Sequence, residues 1–330
     1  MSVKPGVGMY IWNVRRTEGG DAEAIGRVAV EAGLSHAWVK IADGTRAFNV
    51  GAEADLARLA IEALKSAGVQ VFGWQYVYGW QPEAEADAAI RRIVELGVDG
   101  FVVNAEVEYK HRPGQASRYM RRLRGAIGDM PVGLSSYRFP RIHPEFPWNA
   151  FLDRCDFNAP QVYWMQAINA AGQLRESIRQ FQQGSLARRP IIPTGAAFQE
   201  HGWRPTALQV EEFLREADAT CEAVNFWAWE HARRLSDIWA VIRDFEWGEP
   251  GHEPEPPPDG AVVAYRAMVD GLNVRRMPSI SGNTPVRTLR RGEVVRMIGA
   301  GGSDAWIEIA PGEFVALRTG GRTYLERVES

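Results

Sequence analysis

The sequence predicts an α/β chain: a (β/α)8 TIM barrel over residues 1–246, a Pro/Glu-rich linker over 247–260 and a small all-β barrel over 261–330. Three observations carry this prediction. Short apolar runs alternate eight times with segments of helical periodicity between Val7 and Phe245, the order and size of a barrel whose strands are each followed by a helix. Four of the early helical segments are stopped by a glycine, at Gly33, Gly68, Gly97 and Gly128. The composition then breaks abruptly at EWGEPGHEPEPPPDG, where five prolines and interleaved acids favour an extended spacer. An open doubly wound sheet is the alternative reading of the alternation. No GxGxxG opens the first helix, which counts against its dinucleotide-binding form.

In order, strand 7–14 leads into helix 21–32, where Ile25, Val28, Ala29 and Ala32 form one apolar stripe. Strand 36–42 precedes helix 53–67, strand 69–78 precedes helix 83–96, and strand 100–108 precedes helix 115–127. The second half repeats the step with 132–137 and 148–154, 157–164 and 172–182, 191–197 and 207–221, and 224–229 and 235–245. From Ala261 the chain has only short apolar runs and turns, the pattern of a small β barrel.

Composition excludes several functions. With 38 basic and 41 acidic residues the net charge is −3, so there is no basic field for nucleic acid and no polybasic membrane anchor. No apolar run reaches the ~18 residues of a spanning helix. MSVKPGVGMYIWNV has no signal-type apolar run, so export by the usual route is not expected. Cys155 and Cys221 are too few for a disulfide framework and read as buried thiols. The six histidines show neither HxxxH nor HExxH spacing, Ser135-Ser136 lacks a nucleophile elbow, and no Walker loop occurs. Neither a metal nor an organic cofactor is expected.

The informative stretch is GFVVNAEVEYK, residues 100–110. Extended, it sends Val102, Asn104, Glu106 and Glu108 to one side and Phe101, Val103, Ala105 and Val107 to the other. A carboxylate on the inner face of a sheet is costly unless paired, solvated at a strand end or functional. Glu106, at the C-terminal end of a barrel strand, stands where barrel active sites lie and is the candidate acid. Its bland alternative is neutralisation by Lys40 from strand two. Glycosidic bond cleavage ordinarily takes two carboxyl groups, ~5–5.5 Å or ~6.5–9.5 Å apart according to outcome. Asp43 is a candidate for the second, or equally a turn residue bonding its own backbone. Glu108 and Glu230 rank behind Glu106. The chain carries 12 tryptophans; Trp12, Tyr137, Tyr163, Trp227 and Trp229 fall near strand ends, where flat rings stack on sugars.

Lys40-Ile41-Ala42-Asp43-Gly44 and Ala67-Gly68-Val69-Gln70-Val71-Phe72-Gly73 resemble segments of the glycoside hydrolase family 25 lysozymes, and Asn104-Ala105-Glu106 falls where that family places Asp-x-Glu. Two positions depart from it. Tyr10-Ile11-Trp12-Asn13 stands where an aspartate is expected, and Asn104 replaces the first acid. Asn-x-Glu also resembles the pair in family 85 endo-β-N-acetylglucosaminidases, with Asp-x-Glu of chitinase-like barrels its acidic version. That resemblance implies substrate assistance: Asn104 orients a 2-acetamido group whose oxygen attacks the anomeric carbon, and Glu106 is the acid. An inward polar residue that satisfies its neighbours is the equal alternative for Asn104. The family pattern further implies that Gln75 faces inward while Trp74, Tyr76 and Tyr78 pack beneath helices.

The tail, with Leu272-Asn273-Val274-Arg275, Pro278-Ser279, the Leu289 to Val294 step and Trp306, resembles bacterial SH3 (SH3b) domains, which implies an SH3-like barrel binding cell-wall peptides or glycans. Together the resemblances imply a lysozyme-like hydrolase, a muramidase or N-acetylglucosaminidase acting on peptidoglycan. It would be cytoplasmic until released, as a phage-type endolysin. The rival reading is a non-catalytic glycan-binding or scaffold protein that kept the barrel and lost its acids.

Overall fold

The computed structural model describes residues 3–165, 167, 169–183, 185–248, 264–276, 284–296, 299–301, 306–310, 313–316, 318–319 and 322–328. Eight parallel strands close on themselves: β1 (Gly6–Ile11), β2 (His36–Asp43), β3 (Gln70–Val77), β4 (Gly100–Ala105), β5 (Val132–Tyr137), β6 (Phe157–Val162), β7 (Thr194–Ala196) and β8 (Ala223–Trp227). Each pairs with the next, and β8 returns to β1 through Gly6–Ala223 and Gly8–Asn225. Around them run α1 (Ala22–Glu31), α2 (Leu56–Ser66), α3 (Pro82–Leu96), α4 (Pro113–Ile127), α5 (Trp148–Leu152), α6 (Ala170–Gln182), α7 (Ala207–Thr220) and α8 (Ser236–Asp244). The chain is therefore a (β/α)8 barrel, and the doubly wound alternative is excluded by closure.

Helix starts follow local chemistry. The Asp21 and Asp55 carboxylates accept the backbone N–H groups of Ala24 and Arg58, and Thr206 and Gln209 form a reciprocal capping box. Proline opens α3 and α4, where its missing N–H costs nothing. The helices bury an outer layer against the strands, while a second cluster fills the barrel with Tyr10, Trp38, Phe72, Trp74, Val102 and Phe157. Tyr10 meets Trp38, Trp74 and Trp227 edge-on at centroid distances of 4.9, 5.7 and 5.4 Å. Rings this large fit because neighbouring strands carry glycine: a Cβ on Gly100 would lie 2.1 Å from Phe72, and one on Gly133 2.1 Å from Phe157.

Several elements differ from expectation. β1 stops at Ile11 rather than residue 14, and β4 at Ala105, before a tight helical turn Val107–Tyr109. β7 has only three residues, and β8 ends at Trp227, followed by a helical turn Trp229–Ala232. β3 is turned the other way round. Phe72, Trp74 and Tyr76 belong to the inner cluster, and Gln75 lies beneath the helices, where its amide donates to Gly44 O (2.6 Å) and Glu85 O (2.9 Å) and accepts from Tyr119 Oη (2.6 Å). A buried amide with three partners outside has no reason to face inward.

C-terminal to the barrel the described strands are antiparallel. Ala264–Ala267 pairs with Val294–Arg296 and Leu325–Val328; Leu272–Arg275 pairs with Pro285–Leu289 and Glu313–Ala316. Leu272, Val274, Leu289, Ile307, Val315 and Leu325 form their shared core, with Trp306 buried beside Ala316. Most of the linker and Pro278-Ser279 lie outside the described residues.

Candidate active site

Register builds the site. β3 places Tyr76 beside Asn104, and β5 places Ser135 on its other side, so the three polar groups share one inner level near the C-terminal ends of the strands. One residue beyond β4, Glu106 leaves extended geometry (φ −136, ψ −134) and is half-buried at the mouth. The Asn104 oxygen accepts from Gln161 Nε2 at 3.0 Å; with the amide turned over, its nitrogen faces the Ser135 carbonyl (3.1 Å) and donates to Glu106 Oε1 at 3.2 Å. Gln161, from the inner face of β6, donates from Nε2 to the same Oε1 at 3.0 Å and to Ser135 Oγ at 3.3 Å. Burial pushes the Glu106 carboxyl above the ordinary glutamate range, and nearby Glu108 pushes it the same way; the Gln161 and Asn104 hydrogen bonds oppose them.

Lys40 does not neutralise Glu106. Its Nζ lies 2.6 Å from Asp43 Oδ2, 4.3 Å from the Phe48 ring centroid and 4.9 Å from that of Trp74. Burial lowers its pKa, and the Asp43 hydrogen bond and charge offset that only in part. The pair exists because β2 bulges: Lys40 sits opposite Trp74 and Asp43 opposite Tyr76, with only Ala42 opposite Gln75 between them, so both side chains face the barrel interior. The other Asp43 oxygen accepts from Tyr78 Oη at 2.8 Å. Asp43 is thus an ion-pair partner, neither a free base nor a cap on its own turn.

The remaining acids are also engaged. Glu108 accepts from Tyr76 Oη at 2.7 Å. Glu230 is buried behind the β1 loop and accepts the backbone N–H groups of Asn13 (2.8 Å) and Trp12 (3.4 Å), so it shapes that loop rather than the cavity. Among the aromatics, Trp12 and Trp227 are half-buried over the inner cluster, 6.4 Å apart, where a ligand in the mouth would meet them. Tyr163 packs edge-on against Phe198, and Tyr137 stacks on His143 at 3.8 Å. Trp229 is a correction: β8 has ended, so the alternation no longer holds. Its ring is fully buried in the outer layer beside Trp239, with Nε1 donating to Glu18.

Sequence reasoning missed Gln161 and did not assign Tyr76 to the site. The signal for Gln161 was a polar residue near the end of an apolar strand on the parity of Phe157 and Ala159.

Three solved structures show the same barrel at low identity. A family 18 N-acetylglucosaminidase from Paenibacillus barengoltzii matches at 11% identity with a TM-score of 0.52, covering 73% of this chain and 99% of that one. The spore cortex-lytic enzyme SleL of Bacillus cereus matches at 8% identity and TM-score 0.54, covering 76% and 77%. A family 5 glycoside hydrolase from Bacteroides vulgatus matches at 9% and 0.52, covering 94% and 88%. No family model and no curated protein matches the sequence. Two of these neighbours are glycoside hydrolases and the third a cortex-lytic enzyme, and at such identities the likeness is one of fold.

Proposed function

We propose that this chain is a glycoside hydrolase acting on an N-acetylhexosamine-containing polymer, peptidoglycan foremost, by substrate-assisted cleavage. One observation carries the reading. Of the candidate acids, Asp43 is tied to a lysine, Glu108 to a tyrosine and Glu230 to backbone behind the β1 loop, whereas among the described residues Glu106 is bonded to the neutral amides of Gln161 and, with its amide turned over, Asn104. A single acid whose pKa is raised by burial, with no second free carboxylate beside it among the described residues, suits a reaction in which the substrate supplies the nucleophile. Glu106 gives its proton to the leaving glycosidic oxygen as the acetamide oxygen attacks the anomeric carbon. The Asn104 amide accepts the acetamide N–H and holds that oxygen in line. Water then opens the cyclic intermediate, with the Glu106 carboxylate now taking its proton.

Turbidity loss of a purified wall suspension together with new reducing ends is the expected result. Protein that sediments with unchanged walls would instead support the non-catalytic glycan binder, a reading that Asn104 in place of an acid favours. The antiparallel tail suits an SH3-like wall-binding module, 261–330, on a Pro/Glu-rich tether, 247–260, from the barrel, 1–246, raising effective concentration at the mouth. Release to the wall as a phage-type endolysin fits the same proposal.

Two outcomes follow. Asn104→Ala should lower kcat about 10²-fold on 2-acetamido substrates, the size of effect seen when one preorganised hydrogen-bonding group is removed; unchanged kcat would leave Asn104 a packing residue. Because Glu106's pKa is raised, its acid form persists above the ordinary glutamate range, so activity should be present below that raised pKa and fall as pH rises through it. A kcat/KM profile with no such falling limb removes Glu106 from the acid's role.

A further inference from the structure

β3 continues past the mouth as a ladder of rings. Tyr76 lies 5.0 Å from Tyr78 between centroids, and Tyr78 stacks on Trp80 at 4.7 Å with planes 23° apart. Trp80 is 68% exposed despite that stack, so one face rests on Tyr78 and the other is open. Each rung is held. Tyr76 Oη is bonded to Glu108 and Tyr78 Oη to Asp43, itself anchored by Lys40. Trp80 is fixed through its backbone: the buried Glu85 carboxylate, reaching back from α3, accepts the N–H groups of Tyr78 (2.8 Å), Gly79 (3.1 Å), Trp80 (3.1 Å) and Gln81 (3.2 Å). Gly79 adopts φ 69, and a Cβ there would lie 2.9 Å from the Tyr109 ring, so the turn admits no larger residue.

A rigid indole held with one face on Tyr78 and the rest exposed offers a flat apolar surface on which a sugar ring can stack. We infer that Trp80 is the platform of an outlying sugar subsite, where a later residue of a β-linked N-acetylhexosamine chain stacks when another occupies the Glu106 centre. The occupant is fixed by continuity: the ladder starts at Tyr76, on the level of Asn104, and ends at Trp80. This inference rests on the proposed substrate class and extends it from a single sugar to a polymer.

Calorimetric titration of the full chain, carrying Glu106→Gln to prevent turnover, with N-acetylglucosamine disaccharide and hexasaccharide tests it. Trp80→Ala should weaken the hexasaccharide about tenfold and leave the disaccharide unchanged, with Trp80→Tyr restoring most of the loss. If the hexasaccharide binds equally well without Trp80, or if both ligands weaken alike, the outlying subsite is wrong while the proposed function stands. If the Trp80-containing protein binds neither ligand, the substrate class itself fails and the inference falls with it.

Discussion

Hydrolysis of a 2-acetamido glycan should fall about 10²–10⁴-fold in Glu106→Gln, the range attributed to a positioned proton donor. The amide is nearly isosteric with the acid, and its oxygen still accepts from Gln161 and Asn104. Its nitrogen, however, cannot give a proton to a leaving oxygen. The melting temperature should therefore stay within a few degrees of the parent's while the rate collapses. Reducing-end release at saturating substrate, with thermal melting on the same preparations, separates the two effects. Undiminished turnover in a well-folded variant would exclude Glu106 as the acid and, with it, the proposed mechanism.

Glu85→Ala should be the most damaging single change to stability at the mouth. One buried carboxylate gathers four consecutive backbone N–H groups at the start of α3, where the helix dipole also favours negative charge. Removing it leaves those donors, three in partly buried positions and one fully buried, without their acceptor. At roughly 1–3 kcal/mol for each buried group left unmet, partly offset by water reaching Trp80 and Gln81, a loss of about 3 kcal/mol is expected. For a barrel of this size that lowers Tm by on the order of 10 °C. Glu85→Gln should fall between, since an amide presents one acceptor and one misplaced donor. If Glu85→Ala melts with the parent, the 78–81 turn is held by its neighbours and not by the carboxylate. The same variant should lose hexasaccharide affinity, because Trp80 depends on that turn.

The barrel was legible because its evidence is local and repeated. Strand and helix periods alternate along the chain, and the parity that sends Val102, Asn104 and Glu106 to one side survives in the structure, with Phe101, Val103 and Ala105 in the outer layer. Glu106 could be singled out for the same reason, as the acid at the end of an otherwise apolar strand.

Which face of β3 looks inward could not be read the same way. A parallel strand is covered on both faces, so apolar residues of both parities carry no inside–outside signal. The decision was made by partners distant in sequence: Gly44, Glu85 and Tyr119 converge on Gln75, and Gly73 leaves room for Ile41. The Lys40–Asp43 pair likewise depends on a bulge that slips β2 by one residue against β3, and a slip of one residue reverses every later side chain. By itself the sequence determined the barrel, the inward strand end at Asn104 and Glu106, and an all-β tail. Tertiary structure alone decided which charges cancel. It paired Lys40 with Asp43 and brought Gln161 across from β6, so that Glu106 is left among neutral amides with its pKa raised by burial.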